Sequence, residues 1–140
     1  MSKNYIYYTY EEAVEAVKKY WWNLKYVRPD LQTPEMALES VKGGLWALEY
    51  IRPDLITPEL AERAVKEYGN NLRHVPEHLI TPEMALEAVR WHGWTLEFVP
   101  AHLQTQEVIE TALKKDPSHS KFIKIKEMFK EALDEALRNP

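Results

Sequence analysis

The chain has 140 residues, 45% of them apolar and 29% charged, with a formal net charge of −4 and no cysteine. This is ordinary globular composition, enough for one domain with a real core, and it excludes disulfides, thiolate nucleophiles and thiolate metal sites. The acidic balance argues against nucleic acid as the main partner, because that binding draws its affinity from Lys and Arg neutralising phosphates.

Residues 1–8 carry Tyr5, Ile6, Tyr7 and Tyr8, which are expected to lie as an N-terminal lid over the open face of the first helical unit. The opening MSKNYIYYTY lacks the layout of a secretion signal, and no apolar run approaches the roughly 20 residues that cross a bilayer. The expectation is a soluble, unexported, cytoplasmic chain with no membrane partner.

From Thr9 onward one short pattern recurs. Thr9, Thr33, Thr57, Thr81 and Thr105 stand 24 residues apart, each followed two places later by a glutamate: Glu11, Glu35, Glu59, Glu83 and Glu107. Apolar residues four and eight places after each threonine, from Ala13 and Val17 to Ile109 and Leu113, share one helical face. The threonine reads as an N-cap, and Pro34, Pro58 and Pro82 fill the first helical position, where a missing N–H costs nothing. A basic column, Lys18, Lys42, Lys66, Arg90 and Lys114, closes each helix. It complements the helix dipole and can pair with Glu15, Glu39 or Glu87 three residues earlier.

Gly69 and Gly93, with Gly43 and Gly44 slightly earlier in the second unit, are expected to supply the left-handed C-cap that ends this helix. A second helix of about two turns comes next, marked by Leu24, Leu48, Leu72 and Leu96, and it ends near Pro29, Pro53, Pro76 and Pro100. Periods of this length with two apolar-faced segments indicate stacked helical hairpins, none of which buries its apolar face alone. The expected fold is all-α: a solenoid of five 24-residue helical-hairpin repeats at 9–32, 33–56, 57–80, 81–104 and a divergent fifth beginning at 105. In that fifth unit Asp116-Pro117-Ser118 breaks the chain, and a longer capping helix runs from about 119 to 138 with Ser118 or Ser120 as its N-cap. Its stripe of Phe122, Ile125, Phe129, Leu133 and Ala136/Leu137 also offers a route to a homodimer.

The stretch EAVRWHGWTLEFV, Glu87 to Val99, and GLWALEYI, Gly44 to Ile51, resemble a short α-helical repeat family described as a domain of unknown function, whose units read roughly AVKxNGxALEYAS. The resemblance extends over about four units. It implies an α-helical repeat array and assigns neither a reaction nor a site residue.

The sequence departs from that pattern in its aromatics. Trp22/Tyr26, Trp46/Tyr50 and Trp94/Phe98 form i, i+4 pairs, and Tyr20, Trp21, Tyr68 and Trp91 cluster around the turn between helices. Such residues often fill space between hairpins, but this many at one turn are hard to bury together, and exposed Trp and Tyr are what anchor interfaces. In the third unit Asn70 and His74 replace the aromatics, with Asn71 beside them, which predicts a solvated notch or polar pocket flanked by Trp46 and Trp94.

Catalysis and metals have little support. His74 and His78 supply only two ligands of the three or four that zinc needs. Ser118 and Ser120 beside His119 belong to a cap, where catalytic geometry is poorly held. No phosphate-cradling glycine loop is present. The expected function is therefore non-catalytic, with no cofactor: binding of another protein through the aromatic inter-helix tips. A small molecule or nucleotide held at the third unit is the alternative, and an acidic surface imitating nucleic acid to inhibit a basic protein is a weaker third.

Overall fold

In the computed structural model, which describes residues 4–44, 46–124 and Arg138, each of the five threonines caps a ten-residue α-helix. Thr9 Oγ1 accepts from Glu12 N at 3.2 Å and the Glu12 carboxylate accepts in return from Thr9 N, a full capping box. Thr33, Thr57, Thr81 and Thr105 accept from the backbone N–H three residues on, at 3.1–3.3 Å. Each cap satisfies an N–H that the helix start leaves orphaned and contributes about 1 kcal/mol. The helices are α1 (Tyr10–Lys19), α2 (Pro34–Gly43), the four-residue α3 (Ala47–Tyr50), α4 (Pro58–Glu67), α5 (Pro82–Trp91) and α6 (Gln106–Lys115).

The ten-residue helices touch in chain order: α1 on α2, α2 on α4, α4 on α5, and α5 on α6. Small residues make this close contact. Ala13, Ala37, Ala61 and Ala85 are buried on one row, and Ser40, Ala64, Ala88 and Ala112 on the next. Ser40 carries the one hydroxyl in that second row and donates it to Met36 O at 2.9 Å, so no polar group is stranded there. Val17, Val41, Val65 and Val89 complete the buried face.

Between successive long helices the chain makes further helical pieces. Trp21–Tyr26, Gly69–His74, Gly93–Phe98 and Pro117–Phe122 are 3-10 helices, with α3 in the corresponding place of the second period. Leu24/Val27, Leu72/Val75 and Leu96/Val99 are three residues apart and all buried, as are Leu48 and Ile51 in the second period, and a helix of three residues per turn stacks i over i+3 on one face. Single 3-10 turns then come at Pro29–Leu31, Pro53–Leu55, Glu77–Leu79 and Ala101–Leu103. Each of the first four periods thus holds three helical pieces where a two-helix hairpin was expected, because the prolines at or just before these turns set a φ that starts another turn. All the described residues are helical or irregular, with no β-strand among them.

Two expectations are corrected. No described residue, glycine or other, has a positive φ, so the glycines do not form left-handed caps. The C-cap residues Tyr20, Tyr68, His92 and Asp116 are extended. The glycines serve close approach: a Cβ at Gly69 would lie 2.6 Å from Trp91 Cβ, and one at Gly93 would lie 2.7 Å from the carbonyl oxygen of Ala112. Secondly, no long helix starts at 119. Asp116, not a serine, caps Pro117–Phe122 by accepting from Ser118 N at 2.8 Å, and Ile123 is already extended. Ile125, Phe129, Leu133, Ala136 and Leu137, with the homodimer helix they suggested, lie outside the described residues.

At the N-terminus, Ile6 N and Tyr7 N both donate to Tyr26 O, at 3.0 and 3.3 Å, and Tyr7 forms an isolated parallel bridge with Val27. Tyr7 packs on the core while Ile6 and Tyr8 remain exposed.

Candidate binding surface

The surface is built where each long helix stops. α1 ends at Lys19, Tyr20 turns the chain in extended conformation, and Trp21 opens the 3-10 helix, so three aromatics in a row are delivered to one tip. Tyr20 and Trp22 stack there with ring centroids 4.7 Å apart, and Trp21 stands edge-on to Trp22 at 5.9 Å. Tyr20 is 46% exposed and Trp22 45%, so much of the stack's apolar area faces water.

The corresponding turns differ in how they cover their aromatics. Trp91, 44% exposed, leans over Gly69 with its ring 6.2 Å from that of half-buried Tyr68. Trp46 is 38% exposed. Trp94 is half-buried, stacked on His92 at 5.6 Å and edge-on to Phe98 at 6.1 Å, so this i, i+4 pair does meet. None of the ten aromatics singled out in the sequence is fully buried.

Cations rim the tips. Lys42 pairs with Glu39 at 3.1 Å and Arg90 with Glu87 at 3.9 Å, the three-residue spacing expected of the basic column. Lys66 pairs instead with Glu62, four residues back. Lys18 crosses to the next helix and meets Glu35 at 3.1 Å; hydrogen bonding to that carboxylate, then its charge, raises the Lys18 pKa above its ordinary value.

The third period does not open the predicted notch at its asparagines. Asn70 and Asn71 are 6% and 1% exposed. Asn71 donates to Ala64 O at 3.0 Å, the carbonyl that also accepts from Tyr68 N, tying the 3-10 helix back to the end of α4. Asn23 does the same to Ala16 O at 2.9 Å, and His119 Nδ1 lies 3.2 Å from Ala112 O. Their recurrence every second period, seven residues after the carbonyl, was the signal for a structural role. Asn71 Oδ1 is buried without a partner. His74 is half-buried, and its pKa is lowered, first by burial.

Two glutamines escaped the sequence reading. Gln32 donates to Tyr50 O and accepts from Arg52 N, both at 2.7 Å. Gln104 donates to Phe122 O at 3.1 Å and accepts from Lys124 N at 2.8 Å. Each clamps equivalent backbone groups of the following period. A polar residue in the column otherwise held by Ile56 and Ile80 was the available clue.

Residues 57–104 match the family model described as "Domain of unknown function (DUF4116)". This stretch is a domain of unknown function. It begins at the N-cap Thr57 and ends at Gln104, the residue before the N-cap Thr105, and so holds α4, α5 and both sets of 3-10 turns. No curated protein and no solved structure matches the chain. Among the described residues no group of three or more His, Asp or Glu side chains is placed to hold a metal ion, and no helix is long and apolar enough to cross a membrane.

Proposed function

We propose that the chain is a cytoplasmic solenoid of five 24-residue helical units and a non-catalytic module that binds another protein through the aromatic tips between its helices. The observation that carries this reading is the exposure of Tyr20, Trp22, Trp46 and Trp91, each more than a third open to solvent. Burying a large aromatic against a partner is a main source of interface free energy, and Trp and Tyr are the residues enriched at such anchors. His119, the histidine that could suggest chemistry beside Ser118 and Ser120, stitches its turn to α6.

The test is affinity capture from a lysate of the source cells with wild type and with Trp22→Ala/Trp46→Ala/Trp91→Ala, after circular dichroism has shown both to be folded. A protein held by wild type and lost from the variant is the expected result. Identical sets of bound proteins would overturn the reading.

A further inference from the structure

A cavity of about 250 Å³ opens beside the first tip, lined among others by Lys19, Tyr20, Trp21, Trp22, Glu39 and Lys42. Its shape comes from Gly43, which offers no side chain; the Trp21 indole lies so close that a Cβ at Gly43 would come 2.7 Å from its Cδ1. The aromatics all come from one period while the other contributes the glycine backbone on which the Trp21 ring rests. At Gly69, by contrast, the next period supplies Trp91 to lean across.

Charge sets this cavity apart from the rest of the chain. Its ionisable lining is three lysines, Lys18, Lys19 and Lys42, against the single Glu39, in a protein whose formal net charge is −4. Lys18 is held by Glu35 and Lys42 by Glu39. Lys19 makes no ion pair among the described residues; its ammonium stands 5.6 Å from the centroid of the Tyr20 ring.

We infer that this cavity receives an acidic peptide segment of the partner, with carboxylates on Lys19 and Lys42 and an apolar side chain against the Tyr20–Trp22 stack. The inference rests on the protein-binding reading above and names the chemistry of the partner. An incoming carboxylate finds Lys19 exposed and without an ion pair among the described residues, so the site gains a charge partner at little cost in desolvation. Glu35 and Glu39 stand beside the lysines, which suits spaced carboxylates better than the continuous charge of a phosphate backbone. Contacts at such a rim act mainly on the rate of encounter and its salt dependence.

The test uses the full chain labelled with ¹⁵N, whose five tryptophans report individually through their indole N–H resonances. It is titrated with three capped peptides of one frame, EDLDE, QNLNQ and KRLRK, and with a short thymidine oligomer. The expected result is that EDLDE moves the Trp21 and Trp22 resonances and binds about tenfold more tightly than QNLNQ, weakening several-fold in high salt. Lys19→Glu/Lys42→Glu, at two exposed positions, should reverse the order in favour of KRLRK. Equal binding of EDLDE and QNLNQ, or tighter binding of the oligomer at the same resonances, overturns the inference. So does the absence of any indole shift with EDLDE. If lysate capture still depends on the tip tryptophans in those cases, the protein-binding reading stands without it; if that dependence is also missing, both fall.

Discussion

Trp91 rests directly on Gly69: a Cβ added to the glycine would sit 2.6 Å from Trp91 Cβ. That atom is tied to the backbone of α5 and cannot swing aside as the end of a flexible side chain would. Gly69 has no positive φ, so alanine there is acceptable to the backbone and objectionable only to its neighbour. Gly69→Ala is expected to cost about 1–3 kcal/mol, the usual penalty of overpacking. Its measure is a lower urea midpoint with an unchanged slope; an unshifted midpoint would mean that the tip gives way freely.

Among the described residues, Gln104 is the most heavily used buried side chain. Its amide nitrogen lies 3.1–3.2 Å from the carbonyls of Leu96, Val99 and Phe122, and its oxygen accepts from Lys124 N. Gln32 makes two such bonds. Leucine at either place keeps the bulk and strands backbone groups, at about 1–3 kcal/mol for each group left buried and unpaired. Gln104→Leu should therefore destabilise more than Gln32→Leu in chemical denaturation. The opposite order would show that the extra bonds at Gln104 are replaced by water.

Core and tip should separate cleanly. Leu72 is 1% exposed, and Leu72→Ala is expected to cost about 2–5 kcal/mol through lost burial and the cavity left behind. Trp22 is 45% exposed, and Trp22→Ala should cost about 1 kcal/mol or less while removing much of the exposed aromatic area. Thermal denaturation of the two variants beside wild type decides this; a large loss at Trp22 would recast the tip as part of the core.

His74 gives a pH dependence of definite sign. Burial, the largest cause, lowers its pKa below the ordinary 6.5, and the Arg73 charge adds to this while Glu49 opposes it. The unfolded chain then binds the proton more readily than the folded one. The contribution of His74 to stability is complete above 6.5 and is lost as pH falls towards and through the folded value. His74→Asn should flatten the fall in melting temperature between neutral and mildly acidic pH. A variant whose fall is as steep as that of wild type would remove His74 from the account.

How much of this could be read in advance depended on whether the deciding partner lay nearby in sequence. The threonine caps were legible because the bond from each hydroxyl closes within three residues, and the alanine rows because helical periodicity alone brings them together. The 3-10 winding was half legible: the spacing of Leu24 and Val27 was visible, but a three-residue step also fits an α-helix. Gly69 and Gly93 were placed correctly at the turn and explained wrongly, since their need for space comes from Trp91, Ala112 and His119, residues 19 to 26 places further along. The glutamine clamps were hidden for the same reason: what Gln32 answers is a pair of backbone groups 18 and 20 residues ahead. Asn70 looked like a ligand-facing residue because it stands in the column otherwise held by Trp22, Trp46 and Trp94; Asn71 beside it has its partner in a carbonyl at the end of the helix before it.

The spacing of the caps also sets the increment in which this molecule could be shortened. Thr57 and Thr81 begin helices of the same length, and Ile56 and Ile80 precede them alike. Excising 57–80 would therefore join Ile56 to Thr81 and bring α5 to the place α4 now holds beside α2, with Ala85 and Val89 in the rows of Ala61 and Val65. Removing one residue more or fewer would rotate every later helix away from its neighbour, so such a chain can change its length only in whole steps.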